Sequence, residues 1–521
     1  MNKQYIFTGI AFTTFLLLVF YKLNFAPLWY DETIEYWFSK IMFGELPFDI
    51  RPDTQNMYQR IITTFQPPLY NLLMWIWLHI HDGVLWFRLS GVIFGLVGMV
   101  GLYKVVKVNT NAIWANLSVI VCAFTYQLIY YFQECAEYSL LLCLLFWMLY
   151  FYSKVMREQT IKNIIIFIIS AILPIYTQYG AVFIAIPLLL SVLIEILTSK
   201  NRTNIKTISI AYTISFIVAA IPLIIFFLIP QMTHQQSEAH VLVSFKGNIL
   251  TDFIDAIFSV VISNFFFIAC INKLLVKIFI VIVLCLSFFV LIKSENKVYK
   301  HFILVCYVSF ILYYIAVKLG VYAVNTSGNS AGYYNRYSLF FIPQMLVMCF
   351  ICIQETYHLF QNFKVSNVIM PLSTGTIYCL VCAYCLVNWH YKLYGGMEKI
   401  AAQDPKGAVE CWYEHNAYND FTIIDNQIIS GFLFYERHHK LFDKQNEQNF
   451  IVNNCHGIEE QQFFWSNNFG NDFPDRIYAV SYTYESRFDD ITIVMEKYGY
   501  KHKELYSKNN VRVMYYTHDA P

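Results

Sequence analysis

The feature that most constrains this chain is a succession of apolar runs, each long enough to cross a bilayer or nearly so, that fills its first three quarters and then stops. A helix crosses the hydrocarbon core with about 20 apolar residues. Runs of that order lie at 5–21, 86–103, 112–130, 138–153, 163–179, 181–198, 207–230, 276–292, 302–317, 337–354 and 367–388, which predicts about 11 transmembrane helices. Charge follows the same division: residues 1–388 carry 23 Lys+Arg and 16 Asp+Glu, and residues 389–521 carry 13 and 19. The first share is far below the ~25% charged residues of an ordinary soluble domain and the second matches it. The expected fold is therefore a polytopic α-helical membrane body over 1–388, with a first outer loop at 24–83, followed by a small soluble α/β domain over 389–521. In that tail KGAVECWYE reads as a helix, and FTIIDN, RIYAVSY and VRVMYY read as strands. A soluble enzyme is excluded. A net charge of +1 without a basic stripe also sets nucleic acid aside as a partner.

Basic residues are retained on the cytoplasmic side of short loops. With the N-terminus inside, 13 of the 23 fall in short inner connections, among them Lys104, Lys107, Lys154, Arg157, Lys293 and Lys300. An odd number of spans then puts the tail outside. The segment LNFAPLWYDE, from Leu23 to Glu32, lacks a small-residue cleavage pattern, so the first span is read as retained. Two stretches are not read as spans. Pro67–Ile80 is too short and suits an interfacial helix with a Trp75/Trp77 face. Thr251–Cys270 would break the charge parity, so a lateral or re-entrant helix is expected there.

Chemistry has few places to sit. LWYDE puts Asp31 and Glu32 directly after the first span, at the depth where membrane meets water. A carboxylate partly desolvated there gains basicity, which deprotonation of an alcohol or amine requires; the alternative is a pair of solvated acids capping a helix that starts at Thr33. A second outer turn, YYFQECAEYSL, carries Glu134 and Glu137, either functional or an ordinary polar turn. In GYYNRYSLF, Arg336 stands beside Tyr337, suited to hold a phosphate or to anchor at the interface. Weaker candidates are Cys379, Cys382 and Cys385, the histidines at 234, 240, 438 and 439, and the sequon at Asn201, none with a ligand set or exposure that supports a site. No metal site is expected. Of 13 cysteines only Cys411 and Cys455 lie in the tail, where an oxidising compartment would permit pairing.

Six segments in order, LWYDETIEYWFS, QPPLYNLLMWIW, WFRLSGVIFGLVGMVGLY, QECAEYSLLL, YTQYGAVFIAIPLLL and NRYSLFFIPQML, resemble the protein O-mannosyltransferase and aminoarabinose transferase group (glycosyltransferase family 39) of GT-C membrane glycosyltransferases. The resemblance covers about residues 5–355. It implies a polyprenyl-phosphate sugar donor and a protein, lipid or wall-polymer acceptor. It makes Asp31 the catalytic base with Glu32 beside it, Glu134 a helper, Arg336 and Tyr337 the donor-phosphate contact, and Gln66, Tyr70 and Tyr138 part of the substrate pocket. The chain departs from the pattern at Gln66, where His or Lys is more usual, and at Glu134-Cys135-Ala136, where Glu-Ala-Arg is usual.

The implied activity is an inverting glycosyltransferase on the extracytoplasmic side. No cofactor is expected, with a divalent metal as an alternative to Arg336 in stabilising the leaving phosphate. Two other classes fit the composition. A transporter or flippase of lipid-linked saccharide would place its site near the midplane rather than gather acids on one face. A sugar-polymer polymerase or ligase would tolerate loss of Asp31. The expected location is a bacterial inner membrane, with the tail in the periplasm.

Overall fold

The structure is a computed structural model and describes residues 3–24, 26–41, 66–198, 205–237, 248–249, 251–254, 256–257, 273–322, 338–359, 403–442, 450–453, 455, 457–469, 474–482 and 487–518. By their contacts the residues form two compact units: Met1–Leu23 with Thr54–Trp389, and Asn24–Asp53 with His390–Pro521. Thus the segment that follows the first apolar helix groups with the C-terminal residues, although the chain order sets it beside the membrane body.

The first unit is helical. Its elements are α1 (Lys3–Phe20), α3 (Leu69–Ile80), α4 (Val84–Asn109), α5 (Ala112–Phe124), α6 (Tyr126–Gln133), α7 (Tyr138–Val155), α8 (Ile161–Ile175) and α9 (Val182–Thr198). After them come α10 (Ile205–Ser215), α11 (Ile229–Ser237), α12 (Lys273–Lys293), α13 (Lys297–Lys318) and α14 (Phe341–Leu359), while α2 (Tyr30–Ile41) belongs to the other unit. Every run read from the sequence falls on a helix except 367–388, which lies outside the described residues, as do the three cysteines at 379–385. Five helical stretches among the described residues are long and apolar enough to cross a membrane: Val84–Asn109, Tyr138–Val155, Tyr179–Thr198, Thr207–Thr233 and Lys297–Lys318. The chain is an integral membrane protein.

Packing in this unit follows from small residues. α4 carries Gly91, Gly95, Gly98 and Gly101 at helical spacing. In a bilayer, where lipid tails are as apolar as leucine, helices associate by close backbone approach through such residues. A Cβ at Gly98 would lie 3.1 Å from Cys143 Cα on α7, and one at Gly91 would lie 2.8 Å from the Phe132 carbonyl oxygen. The run 112–130 is broken at Thr125, which is extended and bonds its hydroxyl back to Val121 O at 2.8 Å. Between α10 and α11 the helix widens into π turns at Phe216–Ala220 and Ile224–Leu228 on either side of Pro222. Proline cannot donate to the helical ladder, and a π turn with an outside donor accommodates the loss. Within the first of these turns the Tyr176 hydroxyl donates to Ala219 O, at 2.6 Å.

The helix ends sort into two belts. At one end Asn111 and Asn296 cap α5 and α13, Arg157 donates to Asn109 Oδ1 at 2.9 Å, and Ser294 donates to Glu355 at 2.6 Å. At the other end Gln133 donates to Val19 O and Tyr21 O, and Arg88, buried, donates to Leu23 O at 3.0 Å. α3 has 12 residues, too few to cross, and its Trp77 stacks on Trp86 at 4.2 Å with each indole N–H donating to the other residue's carbonyl. Of the segment Thr251–Cys270 only its start is described. There Asp252 pairs with Lys318 and Phe253 packs edge-on against Tyr314, at the end of α13. The remainder lies outside the described residues, as do Asn201 and His240.

The second unit is α/β. α2 joins α15 (Pro405–Glu414), β1 (Phe421–Asp425), α16 (Ile429–Arg437), β2 (Phe450–Asn453), α17 (Gly457–Phe469), β3 (Arg476–Tyr482), α18 (Arg487–Lys497), β4 (Lys501–Lys508) and β5 (Val511–Thr517). The strands make one sheet in the order β2-β1-β3-β5-β4, parallel between β2, β1 and β3 and antiparallel from β3 through β5 to β4. Its core gathers Ile423, Trp465, Ile477, Val494, Met495 and Tyr516. Asp404 caps α15 through Gly407 N at 2.9 Å and accepts from the Tyr506 hydroxyl at 2.8 Å. Gly407 has no room for a side chain, since a Cβ would lie 2.0 Å from that hydroxyl. Burial pushes the Cys411 thiol up to about 11, with Glu414 adding to the effect. Cys411 and Cys455 are both free thiols.

Candidate active site

The two acid pairs singled out by sequence fall in different units. In the second, α2 begins at Tyr30, so Asp31 and Glu32 both stand in its first turn, where carboxylates complement the positive end of the helix dipole. Their surroundings separate them. Glu32 is 2% exposed and its Oε2 accepts from the Trp29 backbone N–H at 3.3 Å, the reach-back of a capping box from the third helical position. Asp31, one position earlier, is half-buried. The helix therefore starts three residues before Thr33, and Glu32 is a buried cap rather than a solvated one.

The opposite flank of α2 is held by α16. Thr33 Oγ1 lies 2.8 Å from Ser430 Oγ, Trp37 Nε1 donates to Ser430 O at 2.8 Å, and Leu28 N donates to the Tyr435 hydroxyl at 2.6 Å. Tyr36 packs edge-on against Phe434 at 4.7 Å, and the Arg437 guanidinium lies 5.2 Å from the Trp37 ring centre. The motif LWYDETIEYWFS is thus built into the α/β unit through its Leu, Thr, Tyr and Trp positions, which leaves Asp31 as its more accessible acid. None of these partners was visible in the sequence.

In the first unit, Glu134 and Glu137 occupy the turn between α6 and α7, and both are buried, at 6% and 1% exposure. Tyr138 opens α7 and its ring lies 4.7 Å from Tyr131. Gln178, in the turn before α9, donates through Nε2 to Glu137 Oε1 at 3.4 Å. Next to it the Tyr179 hydroxyl donates to Gln231 Oε1 at 2.7 Å, and Gln231 Nε2 donates to the Gln66 carbonyl at 2.9 Å. Tyr70 is buried on α3, whose start is fixed by the bond from Leu69 N to Tyr176 O at 3.1 Å. Gln66, Tyr70, Glu134 and Tyr138 accordingly lie at the same end of this helical unit. Gln178 and Gln231 were missed by sequence reasoning: a lone glutamine has no periodicity, and YTQYG offered only its place in the order of segments. Arg336 and Tyr337 lie outside the described residues. Among the described residues no three His, Cys, Asp or Glu side chains converge as a metal site.

A helical membrane body with acids buried at one end, joined to a mixed-sheet domain, defines the class of membrane protein, and comparison specifies it. The family model of dolichyl-phosphate-mannose-protein mannosyltransferases matches residues 65–229. No curated protein sequence matches the chain. Among solved structures, ArnT from Cupriavidus metallidurans in the apo state is similar over 98% of this chain and 97% of its own, at TM-score 0.57 and 9% identity. ArnT bound to undecaprenyl phosphate gives 0.56 and 10% over the same shares. The oligosaccharyltransferase of Archaeoglobus fulgidus, tethered with an acceptor peptide containing the NVT sequon, covers 100% of this chain with 74% of its own, at 0.53 and 10%. At such identities the likeness is one of fold. The fold is that of the GT-C membrane glycosyltransferases, and the resemblance to the O-mannosyltransferase and aminoarabinose transferase group stands.

Proposed function

We propose that the chain is an inverting glycosyltransferase that moves a sugar from a polyprenyl-phosphate donor to an acceptor on the extracytoplasmic side of a bacterial inner membrane. The observation that carries this reading is the first turn of α2: a half-buried Asp31 directly after the first apolar helix, on a helix start fixed by Glu32 and Ser430. The full-length likeness to ArnT bound to undecaprenyl phosphate supports a lipid-linked donor.

In this reading Asp31 takes the acceptor proton as the acceptor oxygen or nitrogen attacks the anomeric carbon. Attack comes from the face opposite the carrier phosphate, so the anomeric centre inverts. The phosphate leaves with the electron pair of the broken C–O bond, and a polyprenyl phosphate needs no general acid to do so. Arg336, with Tyr337 beside it, is assigned to that phosphate, where a guanidinium offers bidentate hydrogen bonds. Glu134 orients the acceptor, and Gln66, Tyr70 and Tyr138 line the substrate pocket.

The test is transfer of radiolabelled sugar from membrane polyprenyl-phosphate donors by wild type and by Asp31→Asn at matched expression. Loss of transfer with donor binding retained supports the assignment. Undiminished transfer by the variant overturns it, and donor translocation without transfer favours a flippase.

A further inference from the structure

Helices α4 and α7 run parallel: Gly91 lies against the Phe132 carbonyl just before α7, Gly98 against Cys143, and Asn109 donates to Ser153 Oγ at 2.8 Å. Their C-terminal turns therefore share the end of the helical unit away from Gln66 and Glu134. There Gly101 leaves a seat for Trp147, since a Cβ at that position would lie 3.1 Å from Cδ1 and 3.2 Å from Nε1 of the indole, and the indole N–H donates to Val97 O at 3.0 Å. Trp147 stacks on Phe151 at 5.7 Å, and Tyr150 meets Phe151 at 5.2 Å and Trp147 edge-on at 5.7 Å, so three half-buried rings form one plate. Two lysines from different helices stand over it. Lys104 of α4 is 4.8 Å from the Trp147 ring centre and 5.6 Å from that of Tyr150, and Lys154 of α7 is 5.8 Å from that of Tyr150. Such contact fixes where an ammonium stands and leaves its charge in place. Among the described residues neither lysine pairs with a carboxylate.

The same face of α4 continues toward the middle of the helix in apolar terms. Ile93, Val97 and Lys104 follow one another at spacings of four and seven residues, which sets them on one helix face, and Ile93 and Val97 are 43% and 42% exposed. This flank presents, in order along the helix, an apolar strip, an aromatic plate and two held positive charges. We propose that it binds one anionic phospholipid, with the headgroup phosphate between Lys104 and Lys154 and an acyl chain along Val97 and Ile93. The occupant follows from what the surface offers. Two ammoniums without a carboxylate match a phosphate, aromatic rings suit the headgroup level of a bilayer, and the exposed strip suits hydrocarbon. A zwitterionic lipid carries a cation beside its phosphate, which the two lysines repel. The site stands apart from the transferase reading and does not depend on it.

The experiment uses the full-length protein in dodecyl maltoside, with phosphatidylglycerol as the probe and phosphatidylcholine as the zwitterionic comparison, and reads bound lipid by native mass spectrometry. The expected result is tighter retention of phosphatidylglycerol, weakened about fivefold by Lys104→Gln and by Lys154→Gln alike, the scale of one basic side chain at an anionic surface. Lys104→Arg keeps both the charge and the ring contact and should hold the affinity within about twofold. Lys107→Gln is the control: that lysine, exposed one turn further along α4, stands 5.5 Å from the Tyr103 ring, and its loss should change the affinity by less than about twofold. Equal losses at all three lysines would mean a diffuse surface charge and overturn the site, as would equal retention of the two lipids. Displacement of phosphatidylglycerol by an equal concentration of undecaprenyl phosphate would give the surface to the sugar carrier and overturn the phospholipid.

Discussion

Trp37 and Ser430 stand 393 residues apart in the chain, and the indole N–H of one donates to the main-chain carbonyl of the other at 2.8 Å. The bond lies next to the Thr33–Ser430 hydroxyl pair, and Trp37 is 1% exposed. The helix that carries Asp31 is thus fixed by tail residues.

Removing that bond alone should be mild and removing the ring severe. Trp37→Phe keeps most of the packing and leaves the Ser430 carbonyl unmatched, at a cost of about 1–3 kcal/mol. Trp37→Ala opens a cavity and should cost about 3–5 kcal/mol. Limited proteolysis of the purified protein, read at cleavage within residues 403–518, orders the variants as wild type, Phe, Ala; equal protection of all three would contradict the packing described.

The two neighbouring acids should part in their effects. Glu32→Gln retains an oxygen for the Trp29 N–H and should lower transfer only about three- to tenfold, by loosening a helix start worth about 1 kcal/mol. Asp31→Asn removes a base and should cost at least ~100-fold in kcat. Single-turnover rates on the same donor preparation decide the matter, and a larger loss at Glu32 would reassign the base.

The glycine seam of α4 predicts a steric gradient. A Cβ at Gly98 meets Cys143 Cα at 3.1 Å, whereas one at Gly9 meets nothing within 4 Å. Gly98→Val forces the two helices apart, at about 1–3 kcal/mol or more. Gly9→Ala should be neutral or slightly stabilising, since alanine loses less backbone entropy in a helix. Thermal unfolding in detergent, followed by aggregation onset, should shift for the first and not the second.

Cys411 gives the pH dependence of the tail. Its thiol is neutral in the folded unit, raised from 9.0 to about 11 by burial. Between those values the unfolded chain has lost a proton that the folded chain keeps, so this group's stabilisation is full below pH 9 and is withdrawn as pH climbs toward 11. Alkylation monitored by mass spectrometry should show Cys411 reacting ever faster through pH 10, while an ordinary thiol levels off near its own pKa of about 8.5. Cys411→Ser, which has no thiol to ionise, should flatten the stability curve in that window.

What could be read from the sequence was whatever repeats or sits close by. Apolar runs marked the helices from Lys3 to Leu359, and KGAVECWYE and RIYAVSY fell where the helix and strand stand. The acids at 31, 32 and 134 were found because carboxylates at a membrane edge are costly. Their division of labour was not legible. Glu32 caps α2 only because the helix begins at Tyr30, and Ser430, Tyr435, Gln178 and Gln231 act through partners brought together by the fold. A single polar residue paired across hundreds of positions leaves no local trace.

The grouping of residues 24–53 with 390–521 has a practical meaning for anyone who exchanges parts between such proteins. A hybrid cut at the end of the last apolar run would keep every membrane helix and every segment of the family pattern, yet would hand Thr33 and Trp37 a foreign surface in place of Ser430. A working graft has to carry two pieces, the loop after the first helix and the C-terminal domain, because the chain wrote as two inserts what the fold treats as one part.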